Sequence, residues 1–189
     1  MQAFKIYTEG VADIKFIKDF VAEHFDTDIP DDLFHLLKSW NGYKTDGHPI
    51  ASIQENFDAG KQTILILDAD NSFAQRNKDV IKDFENYKMP IHLFLFPNNA
   101  HEGCLENMLC EIAVERKLFN CFEAYQACIA GYQMPTIKDK IYAYLDALLI
   151  VKDKSQAQFA SRNYRNPAHW NLQHEYLSPL HQFLEPFFK

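Results

Sequence analysis

An α/β sandwich around a central, mainly parallel sheet is the fold class the sequence predicts, and three observations predict it. Ile64 to Leu67 and Ile91 to Phe96 are apolar runs without alternation, the mark of strands buried on both faces rather than on one. Segments of helical periodicity lie before, between and after them. Gly10, Gly60 and Pro90 stand where those segments meet, and act as breaks between elements.

Taken in order, Phe4 to Thr8 alternates and reads as a first strand ending at Glu9-Gly10. From Val11 to Phe25 the apolar residues Ile14, Phe16, Ile17, Phe20, Val21 and Phe25 recur at three and four, the spacing of an amphipathic helix. Asp31 to Trp40 suits either helix or strand; a parallel sheet needs a strand after its first helix, which favours the strand, and Asn41-Gly42 ends it. Ile50 to Gly60 reads as a short helix closed by Gly60 at C′. The stretch Thr63 to Asp70 follows, with Ile64 to Leu67 as the strand and Asp68 and Asp70 at its C-terminal end. Asn71 or Ser72 then caps a helix running to about Tyr87, with Phe73, Val80, Ile81 and Phe84 as its buried stripe. After the strand Ile91 to Phe96 comes a loop from Pro97 to Gly103. Leu105 to Val151 is helical in pattern, with breaks at Gly131 and Met134-Pro135, and Thr136 is a plausible cap. Lys152 to Asn166 is polar and reads as a loop with a short helix, and an apolar tail from Trp170 to Phe188 is expected to pack back on the sheet. The whole reads as a single domain, 1–189, with an α/β core over 1–103 and a helical extension over 104–189 packed on it.

Composition narrows the function classes. Hydrophobic residues make up 47% of the 189, including sixteen Phe and nine Tyr, which excludes a disordered chain. No apolar run approaches the roughly 20 residues of a membrane-spanning helix, and Met-Gln-Ala-Phe-Lys-Ile lacks the pattern of a signal peptide, so a cytoplasmic protein without a membrane partner is expected. Cys104, Cys110, Cys121 and Cys128 form no Cys-x-x-Cys pair and read as reduced thiols of the interior. Residues 1–137 carry a balance of −9 and residues 138–165 one of +3. An acidic body argues against broad nucleic-acid binding, while the basic segment leaves room for a local phosphate contact.

Chemistry concentrates at the predicted strand ends. Asp68 and Asp70 follow the most apolar strand and would stand at the rim of the sheet, where ligands bind in open α/β folds. Two like charges so close require a cation, and a hard divalent metal both neutralises them and uses their oxygens. Glu9 ends the first strand and Asp13 lies one helical turn later; Asp13 serves either as a partner of the helix dipole or as a second acid of the same crevice. Glu106, in the first turn of the helix after the Pro97 loop, carries the same two readings.

The ordered set, a strand ending in Glu9-Gly10 with Asp13, then an apolar strand ending in Asp68-x-Asp70, resembles the Toprim domain of topoisomerases, bacterial primases and the overcoming-lysogenization-defect nucleases. Phe96-Pro97-Asn98-Asn99, Gly103 to Leu109 and Trp170-Asn171 further resemble a group of small stand-alone bacterial Toprim-like proteins of unassigned function. The resemblance implies a Toprim-like, Rossmann-like three-layer sandwich. It implies Mg2+ or Mn2+ held by Glu9, Asp68 and Asp70, and metal-assisted phosphodiester cleavage of nucleic acid, with Asp13 and Glu106 as general base or second metal position and Lys140, or Lys138, stabilising the transition state. No DNA-gate, zinc-binding or ATPase module accompanies these motifs, so a topoisomerase, a complete primase or a complete overcoming-lysogenization-defect enzyme is not expected. A non-catalytic module that contacts a protein partner is the alternative. Phosphoryl transfer of the haloacid-dehalogenase type is disfavoured, because its Asp-x-Asp normally ends the first strand and here about sixty residues precede it.

Overall fold

The alternation of strand and helix produces a sheet of four parallel strands, seen in a computed structural model that describes residues 3–37, 48–132, 135–148 and 162–189. Strands β1 (Phe4–Thr8), β2 (Phe34–Leu36), β3 (Gln62–Asp68) and β4 (Ile91–Phe96) are ordered β2-β1-β3-β4. Seven α-helices are present among the described residues: α1 (Val11–Phe25), α2 (His48–Asp58), α3 (Phe73–Tyr87), α4 (Leu105–Ile112), α5 (Lys117–Cys128), α6 (Ile137–Ala147) and α7 (Ser178–Phe188). The ambiguous stretch after α1 resolves into a 3-10 turn, Asp31–Leu33, leading into the short β2. Trp40, Asn41-Gly42, Met134 and most of the polar segment from Lys152 lie outside the described residues.

The two-residue period of the strands divides the core. Ile6, Ile64, Ile66, Phe94 and Phe96 point to one face with the apolar sides of α1, α4, α6 and α7; Tyr7, Leu65, Leu67 and Leu95 point to the other, against Ile53 of α2 and Val80 and Phe84 of α3. Ile64 to Leu67 are wholly buried because both faces of β3 are covered and both its edges are paired. Parallel pairing in register sets Thr8 beside Ile66 and Asp68 beside Phe96, so β3 and β4 end level and β1 ends two residues earlier. Glu9 and Asp68 thereby become neighbours although 59 residues separate them.

The apolar tail does pack on the sheet. Phe187 and Phe188 meet Phe4 edge-on at 5.9 and 5.3 Å, and Phe183 lies 5.4 Å from Phe94. Upstream, Asn171 N–H donates to Ile112 O at 2.8 Å, and Trp170 is buried against Tyr144 and Tyr164. One continuous apolar cluster therefore runs from β1 to α7.

Two details correct the sequence reading. Cys121 and Cys128 are exposed and Cys104 and Cys110 only half-buried, because the buried side of α5 is taken by Phe119 and Phe122. Ile81 is 39% exposed, since the inner stripe of α3 passes through Arg76, Val80 and Phe84 instead. With Leu184 fully buried in the cluster, Leu184→Ala should lower unfolding free energy by about 2–5 kcal/mol in urea titration. A loss near zero would mean that α7 is not part of the cooperative core.

Candidate functional site

The crevice at the carboxyl ends of β1 and β3 gathers acids from three sources. Glu9 follows β1, and its Oε2 accepts the Asp68 backbone N–H at 3.1 Å. Asp68 ends β3, and its Oδ1 accepts the Leu105 N–H at 3.1 Å, so the first amide of α4 points at this carboxylate. Asp70 follows in the left-handed region with φ 54°, its side chain 58% exposed at the mouth. Asp70 and Gly103 exchange backbone hydrogen bonds at 2.9 and 2.7 Å, which pins the loop after β4 to the rim. Gly103 is required there: its φ is 127°, and a Cβ would stand 2.7 Å from Asn107 Oδ1.

Asp13 and Glu106 stand behind this rim, each buried in the first turn of its helix. Asp13 Oδ2 accepts Gly10 N–H at 2.8 Å and so caps α1. The same carboxyl is 5% exposed and lies in the field of Asp68, Glu106 and Glu9. Burial first, then those charges, push its pKa well above the ordinary range, against the pull of the Gly10 N–H. Glu106, 4% exposed in the first turn of α4, accepts from the Cys104 thiol at 3.2 Å. Burial and the charges of Glu106 and Asp68 push that thiol up to about 12, so it remains a donor. Asp68 itself is pushed up to about 7, by burial first and by Glu9 and Glu106 next; the Leu105 N–H only partly offsets them.

The sequence reading missed the cation among these acids. Arg76, on α3, places Nη2 at 2.9 Å from both Glu9 oxygens and 3.6 Å from Asp70 Oδ2, while its Nε donates to Asp68 O at 3.1 Å. Ser72 sets the start of α3 by accepting Gln75 N–H, which fixes the turn that presents Arg76. A signal was available: position 76 is three after Phe73 and four before Val80, so a guanidinium stands on an apolar stripe. A second buried arginine, Arg162, lies beside Tyr164, whose hydroxyl feels Glu106 and Asp13 and is pushed up to about 12, chiefly by burial.

Lys140 is placed elsewhere. Its ammonium pairs with Glu123 at 2.7 Å and lies 5.0 Å above the Phe119 ring, on the α5–α6 side of the molecule. Lys138 is exposed on α6. Among the described residues, no three carboxylate, imidazole or thiol groups stand in an arrangement that could hold a metal ion. Glu9, Asp68 and Asp70 do converge, but Arg76 lies between Glu9 and Asp70.

The crowding predicts a pH dependence. An unfolded Asp titrates near 3.9, whereas Asp68 titrates at about 7 in the fold. Between those values the folded state holds a proton that the unfolded state has released, so this residue lowers stability progressively as pH rises from about 4 to 7 and no further above it. The loss amounts to at most about 4 kcal/mol. Asp68→Asn, whose amide oxygen still accepts the Leu105 N–H, should therefore gain stability over the parent near pH 8 and not near pH 4 when urea unfolding is compared in chelator. Equal pH slopes for the two proteins would show that Asp68 is an ordinary carboxylate.

In comparisons with known proteins, no family model, no curated protein and no solved structure matches the chain.

Proposed function

We propose that this chain is a Toprim-like, metal-dependent phosphodiester-cleaving protein acting on nucleic acid, with its site at the carboxyl ends of β1 and β3. One observation carries the reading: Glu9, Asp68 and Asp70 meet at the strand ends with Asp13 and Glu106 behind them, an excess of buried negative charge that Arg76 offsets only in part. The donor set consists of the hard carboxylate oxygens that Mg2+ or Mn2+ prefers, and burial first and the charges of Glu9 and Glu106 next push the Asp68 carboxyl up to about 7. Glu9, Asp68 and Asp70 would hold the ion once Arg76 no longer occupies both oxygens of Glu9. When bound, such an ion supplies a Lewis acid for the phosphoryl group and an acidified water.

The chain's own groups divide the remaining work. Asp68 is oriented for a ligand role by the Leu105 N–H that its Oδ1 accepts, and Glu106, buried in the first turn of α4, would serve as general base. Asp13 keeps its proton to higher pH than an ordinary carboxyl and can return one to a leaving oxygen. Arg76 is the guanidinium beside these acids that can take phosphoryl oxygens, a role for which its planar fork suits it. Lys140 is held by Glu123 on the α5–α6 side. The acidic body leaves nucleic acid to approach through the ion and the basic stretch 138–165, and among the described residues no helix is long and apolar enough to cross a membrane.

One observation favours a second reading, a module without turnover: both Glu9 oxygens already have a cation of the protein's own. Nicking of supercoiled plasmid and cleavage of single-stranded DNA and RNA with Mg2+ or Mn2+ decide between them. The proposed function expects cleavage that chelator abolishes and that Asp68→Asn reduces on the order of 100-fold or more. Cleavage by neither protein on any substrate would leave the module.

A further inference from the structure

Strand β4 stands at one edge of the sheet and pairs with β3 on one side only. Phe96 O faces that side, where it accepts the Ala69 N–H at 3.0 Å. Leu95 faces the other side: its N–H donates to Asn99 Oδ1 at 3.1 Å and its carbonyl accepts the Asn99 N–H at 2.8 Å, so the turn after the strand closes the edge there. The two-residue period then sets the N–H and C=O of Ile91 and Leu93 outward in line with Leu95, and Pro90, which has no N–H, ends the row. Among the described residues nothing pairs with those four backbone groups. Beside them, at the junction of α3 and β4, lies a hollow of about 520 Å3 whose lining includes Ile81, Glu85, Lys88 and Ile91. Ile81 is 39% exposed, Ile91 and Leu93 are half-buried, and Glu85 and Lys88 are exposed with opposite charges.

We propose that this edge is the contact of a homodimer, in which β4 pairs antiparallel with the β4 of a second copy and the two four-stranded sheets run on as one. The open row is its own complement. A two-fold axis at His92 sets Ile91 against the partner's Leu93 and Leu93 against the partner's Ile91; each pair exchanges both backbone hydrogen bonds, which uses all four open groups and no others. Pro90 and Asn99 close the row on either side, so a longer strand gains no backbone bond that a second β4 does not supply. The charges agree with this pairing. Both α3 helices then lie on the same side of the joined sheet and run antiparallel, so the order Glu85, Lys88 in one copy meets the order Lys88, Glu85 in the other, while Ile81 gains cover. Opposed strand directions turn the two acidic crevices to opposite ends of the dimer, each intact within its own copy. The pairing does not depend on a metal ion.

Sedimentation of the full chain, with amide hydrogen exchange read at Ile91 and Leu93, tests the dimer. The wild type should pass from monomer to dimer between about 1 and 100 µM, and both amides should become protected as the dimer fraction rises. Glu85→Lys and Lys88→Glu each set like charges across the axis and should weaken self-association about tenfold or more. An equimolar mixture of those two variants restores opposite charges at both positions and should dimerise about as tightly as the wild type. Leu93→Pro removes one outward N–H and no bond to β3, so it should stay monomeric over the same range. A wild type that is monomeric throughout overturns the proposal and leaves the edge to a strand of another protein. A dimer in which the Ile91 and Leu93 amides exchange freely overturns it, as does a mixture that associates no better than its components. If Leu93→Pro fails to fold, the two charge reversals, made on exposed side chains, decide.

Discussion

Negative charge crowded into a buried crevice is the constraint around which this structure is arranged. Parallel strands in register bring Glu9 and Asp68 side by side, and the helices that follow deliver Asp13 and Glu106 behind them. Such a cluster is costly to bury unless each carboxylate gains hydrogen bonds, a proton or a cation. All three appear. Gly10 N–H and Leu105 N–H, at the starts of α1 and α4, donate to Asp13 and Asp68; Asp13 and Asp68 hold protons more tightly than usual; and Arg76 pairs with Glu9.

The scaffold positions these groups by means of its two-sided core. Residues alternating along β1, β3 and β4 feed two separate apolar clusters, one under α1 and the C-terminal helices and one under α2 and α3. Arg76 reaches Glu9 because α3 is anchored by Val80 and Phe84 on the second cluster and begins at the Ser72 cap just beyond Asp70. On the opposite face, α4 is held by Leu105, Met108 and Leu109 in the first cluster, so its N-terminal amide meets Asp68. The acids thus sit between a helix from each layer, which is where an open α/β sheet places a ligand.

The C-terminal third does more than cover the sheet. Trp170 bridges to Ala113 just after α4, and Tyr164 donates its backbone N–H to Asp19 of α1 at 2.9 Å. Both contacts tie the segment to the helices that carry Glu106 and Asp13. The phenol of Tyr164, with Arg162 beside it, lies close enough to those two acids to feel their charge. Rigidity of the acids behind the rim therefore depends on chain far removed in sequence from the motifs.

Local pattern was enough for the α/β class, for the strands ending at Thr8, Asp68 and Phe96, for the caps Ser72 and Thr136, and for naming Glu9, Asp13, Asp68, Asp70 and Glu106. Strand burial, helical period and capping are short-range properties, and a polar residue directly after an apolar run stands out in one dimension. The strand order β2-β1-β3-β4 and the register that brings Glu9 to Asp68 belong to the tertiary structure, because register depends on pairing between distant segments. So does the assignment of charge partners. Lys140 and Arg76 look alike as isolated cations in the sequence, yet α6 turns one toward Glu123 and α3 turns the other into the acids. Whether a charge meets an opposite charge is decided by which helix faces packing brings together, and a single chain read in order carries no distance between them.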